Sequence, residues 1–113
     1  MHELSLAQSV IEIVGEEAAR HELATIEGLR LRIGVFRGVV PELLRTCMEI
    51  ASRGTVAEGA RMELEVVQGR ARCPDCALEY DVEERLFLCP GCGRVGGEVL
   101  AGDELALVEI EGE

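Results

Sequence analysis

The sequence is short of aromatic residues and of positive charge. Tryptophan is absent, one tyrosine and two phenylalanines are present, and 11 basic residues stand against 22 acidic ones, giving a formal net charge of −11. The core must therefore be built from Leu, Val, Ile and Ala, which the 48% hydrophobic content allows. Nucleic acid is not expected as a partner, because binding phosphates requires a basic face. An acidic surface suits metal cations or a basic protein partner.

Long hydrophobic runs and histidines are also missing. No apolar run reaches the roughly 18 residues of a membrane span, and no cationic leader precedes a hydrophobic stretch. We therefore expect a cytoplasmic protein with no membrane partner, and the 113 residues suit one small domain with an attached module. Only His2 and His21 are available for acid–base work, and no phosphate-binding glycine loop is present, so an enzyme is not expected.

Four of the five cysteines form two CxxC turns separated by a 12-residue spacer. The first turn contributes Cys73 and Cys76, and the second contributes Cys89 and Cys92. Tetrahedral zinc takes four thiolates about 2.3 Å from the metal, and two such turns supply them. The alternatives are a thioredoxin-type redox motif, which requires a helix after the motif, and two structural disulfides, which suit a secreted chain. The doubled spacing favours a zinc ribbon.

The residues inside and after the turns also suit metal binding. Pro74 and Pro90 stiffen the entry to each turn, while Gly91 and Gly93 allow the positive φ angles that wrap backbone around a bound sulfur. A shell filled by four cysteines leaves no position for a water molecule. The zinc should therefore be structural and not catalytic.

Two amphipathic helices are predicted from apolar residues spaced three and four apart. They cover residues 4–22 and 41–53, and Gly54 closes the second. His21, near the end of the first helix, is interpreted as a surface residue, with a metal role as the alternative. Cys47 lies on the apolar face of the second helix and is interpreted as a small core residue, with a reactive or metal-binding thiol as the alternative.

Three strands are predicted from alternating apolar residues, at 27–35, 62–66 and 104–110. We expect the second and third strands to be antiparallel neighbours, and the first to reach the second through the second helix as a βαβ crossover. The predicted fold class is α+β. Two helices are expected to pack on a small mixed three-stranded sheet, because neither helix has another partner of useful size. A four-cysteine zinc-ribbon module is inserted between two of the strands. The predicted domains are 1–68 with 98–113, and 69–97 for the ribbon.

The opening tripeptide Met1-His2-Glu3 offers nitrogen donors close together. The α-amine, the first backbone amides and the His2 ring can approach one plane, which suits Ni(II) or Cu(II). The alternative is an incidental, frayed terminus. Because a helix is predicted to begin at once, we expect the tripeptide to be held near the surface of the domain.

Several motifs along the chain together resemble the HypA/HybF family of hydrogenase nickel-incorporation proteins. Besides Met1-His2-Glu3 and the paired CxxC turns, they are Leu4-Ser5-Leu6-Ala7, Ile33-Gly34, Pro41-Glu42 with Leu44, Arg53-Gly54-Thr55, Gly59-Ala60 and Gly102-Asp103-Glu104. The resemblance covers essentially the whole chain.

The resemblance implies a nickel metallochaperone that delivers Ni(II) to the large subunit of a [NiFe] hydrogenase with a nickel-handling GTPase. It implies that His2 supplies an imidazole, that Met1 and His2 supply backbone nitrogens, and that Glu3 supplies its amide nitrogen or tunes the site. The ribbon would hold structural zinc, and the protein would be a monomer or a weak homodimer. The alternative function is a zinc-ribbon interaction module without a nickel role.

Two departures from the family pattern concern the metal sites. Some relatives carry an acidic residue just before the second helix, where this chain has Val39-Val40-Pro41 and Glu42 is the nearest carboxylate. Some relatives also carry histidines beside the ribbon cysteines, and this chain has none there. No histidine switch is therefore expected at the zinc site.

Overall fold

The computed structural model describes residues 3–82 and 86–113. In chain order the elements are α1 (Glu3–Arg20), β1 (Ile26–Gly34), a 3₁₀ turn (Val35–Arg37), α2 (Pro41–Ser52), β2 (Arg61–Val67), β3 (Gly69–Arg72), β4 (Glu79–Val82), β5 (Glu98–Ala101) and β6 (Leu105–Gly112). The two predicted helices and three predicted strands are confirmed, with ends within two residues of those expected. Periodicity predicts none of the short strands β3, β4 and β5.

The chain divides into two compact units. One, here called the helical unit, comprises the chain up to Arg32 with residues 38–65 and 106–113, and the other, the ribbon unit, comprises residues 33–37 and 66–105. The domain bounds expected from the sequence, 1–68 with 98–113 and 69–97, stay a prediction.

The two helices of the helical unit pack against each other. The buried face of α1 consists of Leu6, Ala7, Val10, Ile11, Val14 and Ala18. On α2, Leu44 and Met48 are fully buried, whereas Leu43 is 47% exposed and Cys47 is partly buried. The expectation that neither helix has another partner of useful size is therefore wrong, because α1 and α2 contact each other extensively.

The larger sheet has the strand order β2-β1-β6. Arg30 of β1 pairs with Glu63 of β2, and two residues further along both strands Arg32 pairs with Glu65, so β1 and β2 run parallel, as a βαβ crossover requires. In contrast, Thr25 exchanges two backbone hydrogen bonds with Glu113 while Gly34 donates to Glu104, so β6 runs antiparallel to β1. The predicted mixed sheet is confirmed.

The predicted pairing of the second and third long strands is wrong, because β6 pairs with β1. Strand β1 occupies the centre because its apolar residues Leu29, Leu31 and Ile33 are all buried. The chain between β2 and β6 is long, and a long insertion does not force its flanking strands together as a tight hairpin turn does.

The ribbon unit contains a second three-stranded sheet with the order β4-β3-β5, antiparallel at both pairings. Its buried cluster consists of Ala71, Cys73, Tyr80, Val82 and Cys89, with Phe36 and Phe87 packed against it. The two phenylalanine rings lie 5.4 Å apart in a tilted arrangement. Both phenylalanines and the tyrosine of this protein are thus gathered in its smaller core.

Within the described residues, no helix is long and apolar enough to cross a membrane.

Candidate metal centre

The four cysteines of the two CxxC turns converge on one point. The sulfurs of Cys73 and Cys92 lie 3.5 Å apart, as do those of Cys76 and Cys89, and all four lie within 4.8 Å of one another. A tetrahedron with metal–sulfur distances of 2.3 Å has sulfur–sulfur edges of about 3.8 Å. The cluster therefore has the size of a zinc site with four thiolate ligands.

The two turns have the same backbone geometry. The N–H of Cys73 donates to the carbonyl of Leu78, and the N–H of Ala77 donates back to the carbonyl of Cys73. Sixteen positions later, Cys89 and Gly93 repeat both bonds, with Arg94 as the acceptor for Cys89. Each turn thus folds around its first sulfur by the same pair of hydrogen bonds.

The positive φ angles required by this geometry fall at the residue after the second cysteine of each turn. Gly93 has φ +76°, as the sequence predicts, and Ala77 has φ +63°. The prediction of a positive φ at Gly91 is wrong. Gly91 is small for a different reason: a Cβ there would lie 3.0 Å from Cδ2 of Leu78 and within 4 Å of two cysteine sulfurs.

Backbone donors favour thiolates at the first cysteine of each turn. The N–H of Cys92 does most to lower the pKa of Cys89, to about 7, with help from the N–H of Gly91 against the effect of burial. At Cys73 the N–H groups of Cys76 and Asp75 lower the pKa in the same way. Both cysteines are buried, so the donors are shielded from water.

The pKa values of the second cysteines are shifted in the opposite direction. The N–H of Arg94 acts to lower the pKa of Cys92, but the hydrogen bond with Cys73 and burial outweigh it and raise the pKa to about 12. The pKa of Cys76 is also raised, where hydrogen bonding with Cys89 and burial outweigh the N–H of Leu78. Metal binding must therefore displace protons from the two exposed cysteines.

A charged contact joins the two turns beside the cluster. Nη1 of Arg94 donates to Oδ2 of Asp75 over 2.7 Å, and both side chains are about half exposed. Asp75, followed by the negative charge of Cys73, raises the pKa of Arg94. Sequence reasoning missed this pair, although an acidic residue inside one turn and a basic residue just after the other are the signal for it. The guanidinium partly offsets the negative charge of a four-thiolate cluster.

Tyr80 supports the cluster from the buried side. Its side chain is 6% exposed and its hydroxyl has no hydrogen-bond partner among the described residues. Burial, followed by the charge of Cys89, raises the pKa of Tyr80. The residue therefore stays neutral and acts as part of the apolar wall.

The candidate nickel site falls at the edge of the described chain. Met1 and His2 lie outside the described residues, so the description begins at Glu3, the first residue of α1. Oε2 of Glu3 accepts a hydrogen bond of 3.3 Å from the backbone N–H of Val40. Val40 immediately precedes α2, whose first turn carries Glu42. The start of α1 thus lies against the start of α2.

The other two candidate metal ligands stand apart. The side chain of His21 is 61% exposed and lies 3.6 Å from Glu17, one helical turn earlier, in agreement with its interpretation as a surface residue. Cys47 is partly buried on α2. Among residues 3–82 and 86–113, one group of three or more potential metal ligands has its ligand atoms close together. That group is the four ribbon cysteines.

Comparison with known proteins agrees with the family resemblance seen in the sequence. A profile of the family described as "Hydrogenase/urease nickel incorporation, metallochaperone, hypA" matches residues 1–112. The chain is 40% identical to a hydrogenase maturation factor HypA of Methylocella silvestris over the full length of both proteins. It is 44% identical to one of Geobacter sp. strain M21, over 98% of each.

The fold agrees with that of a solved structure. The solution structure titled as the Ni metallochaperone HypA from Helicobacter pylori matches 99% of this chain and 97% of its own, with a TM-score of 0.72 and 22% identity. At that identity the likeness concerns the fold, while the family profile and the curated relatives carry the assignment. This chain belongs to the HypA family of nickel metallochaperones for hydrogenase maturation.

Proposed function

We propose that this protein binds Ni(II) at its N-terminus and delivers it to the large subunit of a [NiFe] hydrogenase during maturation, without catalysis of its own. Family membership over residues 1–112 is the observation that carries the proposal. The nickel ligands proposed are the α-amine of Met1, the backbone nitrogens of His2 and Glu3, and the imidazole of His2. Four nitrogen donors in a plane suit Ni(II).

The contact between Glu3 and Val40 supports a surface-held terminus. It ties the first residue of α1 to the segment before α2, so a ligand set formed by the residues just ahead of Glu3 starts from a fixed point. Glu42 is the carboxylate of the first turn of α2 and is the candidate for a further ligand. Its contribution is proposed as secondary to the nitrogens, because nitrogen donors suit Ni(II) better than carboxylates do.

The zinc ligands proposed are Cys73, Cys76, Cys89 and Cys92. Soft thiolates select zinc, so the ribbon and the nitrogen-rich terminus take different metals. A closed shell of four thiolates gives zinc a structural role, which suits a unit with so small a buried cluster.

The partners proposed are a nickel-handling GTPase and the hydrogenase large subunit, both encountered in the cytoplasm. Cysteines that bind metal as thiolates suit a reducing compartment. The acidic surface suits association with a basic face of a partner.

The test compares nickel and zinc content in three variants. His2→Ala should abolish stoichiometric Ni(II) binding and leave zinc unchanged, whereas His21→Ala, which removes the other histidine, should change neither. Cys73→Ser should lose zinc and keep the nickel site. Wild-type nickel binding by the His2→Ala variant, or displacement of zinc from the cysteines by nickel at equal stoichiometry, would refute the two-site proposal.

A further inference from the structure

A groove on the helical unit has no role in the proposed metal chemistry. It has a volume of about 720 Å³ and lies along one side of α1, extending to the end of α2 and the segment that follows. Its lining includes Ile11, Glu12, Gly15, Glu16, Ala51 and Val56. Small and aliphatic side chains form most of it, and two carboxylates border it.

Gly15 is a feature of this groove that the fold of the chain does not explain. It lies inside α1, where glycine is less favourable than alanine by its backbone entropy. A Cβ at this position would meet no atom within 4 Å, so nothing in the described chain requires glycine there. The open space above Gly15 belongs to the groove.

Glu12 and Glu16 are a second unexplained feature on the same side of α1. They are one helical turn apart, and like charges at that spacing destabilise a helix. Neither has an ion-pair partner among residues 3–82 and 86–113, whereas the neighbouring Glu17 pairs with Arg20 and His21. A cationic group placed between the two carboxylates would relieve the repulsion.

We propose that this groove is a docking surface for a partner protein that presents an apolar helical segment flanked by lysine or arginine. Apolar side chains of that segment fill the space above Gly15, and its basic residues pair with Glu12 and Glu16. A second copy of this chain is disfavoured, because a two-fold contact on this face would bring the carboxylates of both copies together. Among the described residues, the lining of the groove includes neither a ribbon cysteine nor Glu3.

The test uses a labelled helical peptide of about 16 residues, with leucines at i, i+4 and i+7 and lysines beside them, and a control peptide with glutamates for lysines. Wild-type protein should bind the first peptide and not the second. Backbone amide shifts in the protein should concentrate at residues 8–19 and 51–56. Absence of binding, or shifts centred elsewhere, would overturn the proposal.

Two pairs of variants separate groove binding from general charge attraction. Gly15→Leu fills the groove without changing charge and should weaken peptide binding by about tenfold or more, while Ser9→Ala, on the same helix but outside the groove, should not. Glu16→Lys should weaken binding similarly, and Glu27→Lys, an equal change of charge elsewhere, should change affinity by less than about twofold.

Stability measurements complete the design. Gly15→Ala should raise the unfolding midpoint, because a helix former replaces glycine in open space, and yet weaken binding. Equal peptide affinity in Gly15→Leu and wild type would overturn the proposal, as would an equal loss in Glu27→Lys. A wild-type dimer that Gly15→Leu converts to a monomer would instead make a second copy the occupant.

Discussion

Ala77 and Gly93 occupy equivalent positions in the two cysteine turns and share a left-handed backbone, with φ angles of +63° and +76°. Glycine adopts this region without strain, whereas alanine is disfavoured there by about 1–2 kcal/mol. The first turn therefore carries strain that the second lacks.

Ala77→Gly should relieve this strain and stabilise the zinc-loaded ribbon unit by up to about 1 kcal/mol, after the greater flexibility of glycine in the unfolded chain is offset. Gly93→Ala should destabilise it by a similar amount. The measurement is the rate of zinc transfer to a chelator, which should be slower for Ala77→Gly and faster for Gly93→Ala. The same direction of change in both variants would contradict the equivalence of the turns.

Removing one thiolate should unfold the ribbon unit. Cys89→Ser should reduce zinc from about one ion per chain to near zero, because binding of a structural zinc is coupled to folding. Proteolysis should then occur between Gly69 and Gly97, a range that the zinc-loaded wild type should protect better. Cys47→Ser is the matched control and should keep zinc and protection, and zinc loss without new cleavage would count against a structural role.

Zinc binding should release protons in a pH-dependent number. Near pH 7.5 Cys76 and Cys92 are protonated in the metal-free cluster, since their pKa values are raised, so about two protons or more should leave. Below pH 7 the count should rise, because Cys89, whose pKa is lowered to about 7, becomes protonated as well. Zinc affinity should fall correspondingly with pH. Calorimetry in buffers of different ionisation enthalpy measures the count, and a constant count from pH 6 to 8 would refute these protonation states.

Variants that remove the hydrogen bond from Val40 to Glu3 separate two roles of Glu3, the stabilising role of its carboxylate and the nickel-binding role of its amide. Glu3→Ala should lower the free energy of unfolding by about 0.5–1 kcal/mol, because the N–H of Val40 loses its carboxylate acceptor. Val40→Pro, which removes the donor at a residue with φ −83° and an exposed side chain, should have a similar effect.

Nickel stoichiometry should survive in both variants, because the backbone nitrogens and the His2 imidazole are kept. Denaturant unfolding and nickel titration test the two statements separately. Loss of stoichiometric nickel in Glu3→Ala would show that the carboxylate, and not the amide, is the ligand from this residue.

Much of the fold was predictable because the pattern is local. The apolar spacing of α1 and the alternation of β1 each report one buried face, and the bounds followed within two residues. Strand order is not local. The interval between β2 and β6 holds a whole module, so its length does not specify whether the two strands are neighbours, and the position of β6 beside β1 depends on tertiary packing.

The candidate metal centre was likewise predictable where the signal is local and not where it depends on tertiary structure. The spacing of Cys73, Cys76, Cys89 and Cys92 defines a four-sulfur cluster, and the structure brings the four together. The strained Ala77 was not predictable from its residue type, since alanine rarely adopts a positive φ; only its equivalence to Gly93 indicates it. The contact between α1 and α2 was missed because periodicity gives the apolar face of a helix but not the element that covers it.

The most direct test of the central claim, an N-terminal nickel site of amine, amide and imidazole nitrogens, is a Ni(II) titration of two proteins that differ only in the position of a short tag without histidine. The C-terminally tagged protein should bind about one Ni(II) with the visible absorption of a planar site. The N-terminally extended protein, whose Met1 no longer carries a free amine, should lose both. Equal affinity and equal spectra in the two proteins would contradict the amine-and-amide site.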